Sequence, residues 1–156
     1  MIEFIEAKTD WELEKFAEYK IKLMNEIKAS AKQLGCMDKS LQDYDMKRAL
    51  ASASMRKNFL ILLEDKYIGN FQISVREALC ESTQVVYLHN IFIAKEYRNS
   101  GIGKITIDFI KKTYRKPIEC ECWYEMDSKF LFNALGFRAV RVTFYSDQNC
   151  ISENKK

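Results

Sequence analysis

Residues 98–104 read Arg-Asn-Ser-Gly-Ile-Gly-Lys and follow the apolar run Leu88-His89-Asn90-Ile91-Phe92-Ile93. A strand that gives way to polar residues and glycines, and then to a helix, makes an anion site. The first backbone N–H groups of a helix have no partner inside it and point out of its end, where the macrodipole favours negative charge. Gly101 and Gly103 remove the Cβ atoms that would hold a phosphate off the backbone, and Arg98 brings a fork of donors for its oxygens. Asn99, Ser100, Ile102 and Lys104 complete the loop. Two commoner phosphate motifs fail. The P-loop needs a glycine where Arg98 stands and a Ser or Thr where Ile105 stands. The dinucleotide fingerprint needs a small residue at Thr106 and a surrounding strand-helix-strand unit.

What remains is Arg-x-x-Gly-x-Gly behind an apolar strand and Ala94-Lys95-Glu96-Tyr97, with Leu135-Gly136-Phe137 further on. The combination resembles the acetyl-CoA signature of the GNAT N-acetyltransferase superfamily. That resemblance implies an α/β (α+β) fold, a mixed central sheet flanked by helices, with acetyl-CoA as cosubstrate. It implies that residues 98–104 hold the pyrophosphate, that Ile91, Phe92 and Ile93 contact the pantetheine arm, and that Ser128 adds a coenzyme contact. The reaction it implies is direct transfer of acetyl from the thioester to a primary amine of a small molecule, within a ternary complex. An acyl-CoA-binding sensor or partner module with little turnover, and a protein N-acetyltransferase, are the alternatives. Relatives often pair, which leaves a homodimer open.

Acetyl transfer removes a proton from the amine, stabilises a carbonyl oxygen gaining charge, and lets a thiolate leave. Many relatives carry a carboxylate at the place of His89 and Asn90. His89 is the chain's only histidine, and with an ordinary pKa of ~6.5 it is a candidate base; a hydrogen-bonded structural residue beside Tyr87 is the alternative. On the leaving-group side, relatives place a Tyr four residues before the Gly of the Gly-Phe pair. Here that place is Phe132, which has no proton to give, so Tyr124 and Tyr145 are the remaining candidate acids. Cys120 and Cys122, two apart on a strand, lack the further ligands a metal needs and read as small buried hydrophobes. Glu119, Glu121, Glu125 and Asp127 read as a solvated edge, or else as a rim that attracts a cationic amine.

The elements around these residues belong to one domain. A length of 156 residues suffices for a real core, and 47% apolar with 30% charged residues excludes disorder. A net charge of +3, without long basic blocks, argues against nucleic acid as partner. No apolar run spans a membrane, no secretory signal opens the chain, and five cysteines fit reduced thiols in a cytoplasm. Residues 1–146 are expected to form the domain and 147–156 a polar tail.

Residues 2–6 read as a first strand. Thr9 and Glu12 form a capping box that opens a helix whose apolar face is Leu13, Phe16, Ala17, Met24, Ile27, Ala31 and Leu34, stopped by Gly35. A second helix runs from about Ser40 to Met55. Strands follow at 59–63, around 71–75, and at 85–93, with Gly69 marking a bulge or a close backbone approach. Alternation over 85–93 puts Tyr87, His89, Ile91 and Ile93 on one face, and Val86, Leu88, Asn90 and Phe92 on the other. Residues 104–110 suit strand or helix; the glycines before them favour a helix, with Ile102, Ile105, Thr106 and Phe109 as its stripe. A strand at 118–123, a helix at 127–135 ended by Gly136, and a last strand at 137–145 complete the reading.

Overall fold

A computed structural model describes residues 1–33, 44–78, 83–121 and 127–139. Among the described residues five strands form one sheet in the order β1-β2-β3-β4-β5: β1 (Ile2–Glu6), β2 (Lys57–Leu63), β3 (Lys66–Glu77), β4 (Gln84–Ile93) and β5 (Ile118–Cys120). The first three pairings are antiparallel and β4–β5 is parallel, so the sheet is mixed. Helices α1 (Asp10–Gln33) and α2 (Met46–Ala53) accompany α3 (Ile102–Tyr114) and α4 (Asp127–Ala134). Two apolar cores result. Phe16, Tyr19, Leu23 and Ile27 of α1 join Leu60, Leu62 and Phe92, while Ile102, Ile107 and Ile110 of α3 join Phe59, Phe71, Ile73, Val86, Leu88 and Phe132.

The capping box forms as its residues dictate. Glu12 N–H donates to Thr9 Oγ1 at 3.3 Å, and Thr9 N–H donates to Glu12 Oε2 at 2.9 Å. The α1 face is wider than its apolar spacing suggests, because Tyr19, Lys20 and Leu23 are buried too. The second helix starts at Met46, capped by Asp45 Oδ1 on the Arg48 N–H at 2.9 Å. Residues 102–114 are helical; the buried stripe is Ile102, Gly103, Thr106, Ile107 and Ile110, and Ile105 is exposed. The expected loop at 36–39, Ser40, Gly35, Cys122, Tyr124 and Tyr145, most of the last strand and the polar tail lie outside the described residues.

Two irregularities shape the sheet. Ile61 pairs with Gly69 but Leu62 with Tyr67, so Ile68 is an extra residue in β3. A Cβ on Gly69 would lie 2.1 Å from the Phe92 carbonyl oxygen, so Gly69 serves both a bulge and a close approach. In β4, Gln72 pairs with Asn90 but Ile73 with Leu88, leaving His89 without a partner. This second bulge changes the faces expected from strict alternation: Ile91 and Ile93 pack against the same core as Val86 and Leu88. Asn90 and Phe92 face α1 instead.

Candidate functional site

The strand, loop and helix of the glycine motif stand in sequence order. After β4 the chain makes one 3-10 turn (Lys95–Tyr97) and reaches Asn99 and Gly101, both left-handed at φ 60° and 85°. Ser100 Oγ donates to the Tyr97 carbonyl at 2.6 Å and fixes the turn. No side chain caps α3, so the N–H groups of its first turn face outward from Gly101. Open space surrounds the position of a Gly101 Cβ, whereas one on Gly103 would meet Leu131 Cδ2 at 2.9 Å. The two glycines therefore differ: Gly101 supplies the turn, and Gly103 lets α4 pack close.

Arg98 sits otherwise than a free phosphate fork would. Its Nε donates to the Ile93 carbonyl at 2.7 Å, and its Nη2 reaches both carboxylate oxygens of Glu26 on α1 at 2.9 Å. The guanidinium ties the end of β4 and the glycine loop to α1.

Val86, Tyr87 and Leu88 pair with Ile118, Glu119 and Cys120, and beyond Leu88 no β5 residue among those described pairs with β4. The His89 bulge follows directly after these pairs.

The α1 and α2 side of this strand is polar. Gln72 Oε1 accepts from Lys20 Nζ at 2.6 Å and from Arg56 Nη1 at 3.1 Å, and Lys20 Nζ also donates to Ser52 Oγ. Gln72 Nε2 donates to Asn58 Oδ1 at 2.7 Å. Burial, and then the Arg56 charge, push the Lys20 ammonium down to about 7. His89 Nε2 lies 2.8 Å from Ser74 Oγ, and the ring stands edge-on to Tyr87. Burial and the charges of Arg56, Lys20 and Arg76 push the imidazole down to about 4. Arg76 lies 3.5 Å over the Tyr87 ring and pairs with Glu119 at 3.3 Å, so that part of the acidic edge is an ion pair.

Lys20, Ser52, Arg56 and Gln72 escape a reading of the sequence alone. The available signal is Lys20 itself, four residues after Phe16 and three before Leu23 on the buried stripe of α1. Phe132 is buried in the α3 core, its ring 5.2 Å from Phe137. Cys120 packs against the same core. Among the described residues no group of three or more potential ligands could hold a metal, and no helix is long and apolar enough to cross a membrane.

Known proteins match this arrangement. Residues 24–137 fit the model of the Acetyltransferase (GNAT) family. The fold is similar to that of the aminoglycoside N-acetyltransferase AAC(6')-Iy in complex with CoA, at TM-score 0.71 and 19% identity over 95% of both chains. The same enzyme with a bisubstrate analog, CoA-S-monomethyl-acetylneamine, matches at TM-score 0.70 and 20% identity over 95% of this chain and 99% of that one. A mutant of the BH1408 protein from Bacillus halodurans gives TM-score 0.73 and 16% identity over 93% and 98%. No curated protein sequence matches the chain. A family match over most of the chain, on a mixed sheet whose fourth strand leads through a glycine loop into a helix, makes this protein a member of the GNAT acetyltransferase family, whose cosubstrate is acetyl-CoA.

Proposed function

We propose that the chain transfers acetyl from acetyl-CoA directly to a primary amine of a small molecule. The observation that carries this reading is the start of α3, which no side chain caps and which follows β4 through the left-handed turn at Asn99 and Gly101. In this reading Ile91, Phe92 and Ile93 pair their backbone with the pantetheine arm. The N–H groups of Ile102, Gly103 and Lys104, with the turn at Asn99, Ser100 and Gly101, hold the pyrophosphate. Arg98 acts as the strut that sets the loop, through Glu26. Ser128 remains a proposed coenzyme contact from the motif alone.

The amine nitrogen attacks the thioester carbon and the C–S bond breaks; the proton leaving nitrogen passes through solvent to the departing thiolate, so the products are the amide and the coenzyme thiol. A donor at the His89 bulge, where the ladder is interrupted, suits the carbonyl oxygen as it gains charge. His89 receives a positional part. An imidazole pushed to about 4 is a poor trap for a proton from an amine, and Ser74 already bonds its Nε2. Many transfers tolerate thiolate departure without an acid, since thiols are fairly acidic, ~8.5 for a cysteine; Tyr124 and Tyr145 are the proposed acids where one assists. Buried Phe132 favours a second reading, a coenzyme sensor with little turnover.

Thiol release from acetyl-CoA over a panel of amines, with calorimetry of coenzyme binding, tests both. Release with at least one primary amine supports the transferase. Tight binding without release by any amine supports the sensor, and absence of binding overturns both.

A further inference from the structure

Where α1 and α2 lie on the sheet, two basic side chains meet at one point. Lys20 is 4% exposed, yet its Nζ donates only to neutral oxygens, Ser52 Oγ and Gln72 Oε1. Arg56 Nη1 donates to the same Gln72 oxygen. Two cations converge on one amide oxygen, and no carboxylate among the described residues forms an ion pair with either. A buried charge without an ionic partner is expensive, and a ligand that supplies the counter-charge removes that penalty. Directly across the β3–β4 ladder from Gln72 stands Asn90. Its Oδ1 is buried without a hydrogen-bond partner, and the residue is 7% exposed. One cross-strand pair, with Cβ atoms ~4.5–5.5 Å apart, thus joins a place short of negative charge to a place short of an N–H donor.

We infer that the acceptor is an anionic amine, whose carboxylate or phosphate pairs with Lys20 and Arg56 while its nitrogen donates to Asn90 Oδ1. This rests on the transferase reading above and names the class of its acceptor. Polycationic acceptors are disfavoured at the same face, because Lys20, Arg56 and Arg76 repel them, and among the described residues a carboxylate pairs with Arg76 (Glu119) but not with the other two.

The test compares matched amines: free L-amino acids against their carboxamides, and O-phosphoethanolamine against ethanolamine, with spermidine as the polycation. The expected result is kcat/KM at least ~10-fold higher for the anionic member of a pair, as a charge-assisted hydrogen bond supplies. Which pair shows the larger ratio tells carboxylate from phosphate. Lys20→Met keeps an unbranched side chain in the core and should bring the ratio close to one, with coenzyme affinity by calorimetry as the check on folding. Spermidine or a neutral amine turned over as well as its anionic counterpart, or a ratio unchanged in Lys20→Met, overturns the inference.

Failure of all transfer would count against the transferase reading, and a binding measurement then decides the anion site by itself. Thermal stabilisation of the coenzyme A complex by N-acetyl-L-amino acids, absent with their carboxamides and lost in Lys20→Met, supports it. Equal responses to both sets overturn it.

Discussion

The imidazole of His89 lacks whatever would hold a proton on it: its charged neighbours are Arg56, Lys20 and Arg76. In the unfolded chain a histidine titrates at ~6.5, and in the folded protein this one titrates at about 4. Between those values the unfolded state binds more protons, so stability rises with pH across this window and falls on acidification. Urea unfolding at several pH values should therefore show wild type losing stability relative to His89→Gln from pH 6.5 down to 4, with a constant difference above pH 7. Parallel curves would mean that the imidazole keeps its ordinary proton affinity. Phe132 yields a second expectation. Phe132→Tyr adds a hydroxyl to a ring buried in the α3 core, and an unpartnered buried hydroxyl costs ~1–3 kcal/mol, read from urea midpoints. At this scale the motif residues were legible and their partners were not. Nothing near His89 in sequence announces Ser74 or Arg56, which reach it across the sheet and from beyond α2.

Among the elements, the glycines carry the sharpest expectations. Gly69→Ala places a Cβ against the Phe92 backbone oxygen, which cannot rotate away. The loss should be about 3 kcal/mol or more, and a melting temperature close to wild type would refute the contact. Gly101→Asp works in the opposite sense. The position is open, Asp tolerates a left-handed backbone better than most residues, and a carboxylate at a helix start is favourable. The fold should survive, while calorimetric affinity for coenzyme A falls by at least ~10-fold through repulsion of the pyrophosphate.

Most elements could be read in advance because their signals are local: the capping box, the apolar run at Phe59, the glycines before α3. The bulge at His89 could not, since it is a property of two strands in register rather than of one. Missing it put His89 on the face of Ile91 and Ile93. The burial of Lys20 was hidden for a related reason, because helix periodicity weighs a lysine as polar and leaves out what covers it.

For the whole molecule, the family and its mixed sheet followed from one loop and the strand before it, whereas the charge of the acceptor face needed α1, α2, β3 and β4 assembled together. The Arg98–Glu26 pair spans the same distance. Glu26 lies six residues along α1 from Lys20, and Arg98 holds the loop that leaves β4 at Ile93. In the proposed reading, α1 connects the coenzyme loop, through Glu26, to the anion site at Lys20. Filling either one restrains the other, and by thermodynamic reciprocity the two binding events share a coupling free energy. Loading should then have a preferred order, with coenzyme first stiffening α1. Hydrogen exchange should slow along α1 when coenzyme A alone is added, and Glu26→Gln should erase that slowing while the α3 amides stay protected. Slowing of α1 that persists without the Glu26 carboxylate would mean that the communication runs through the sheet instead.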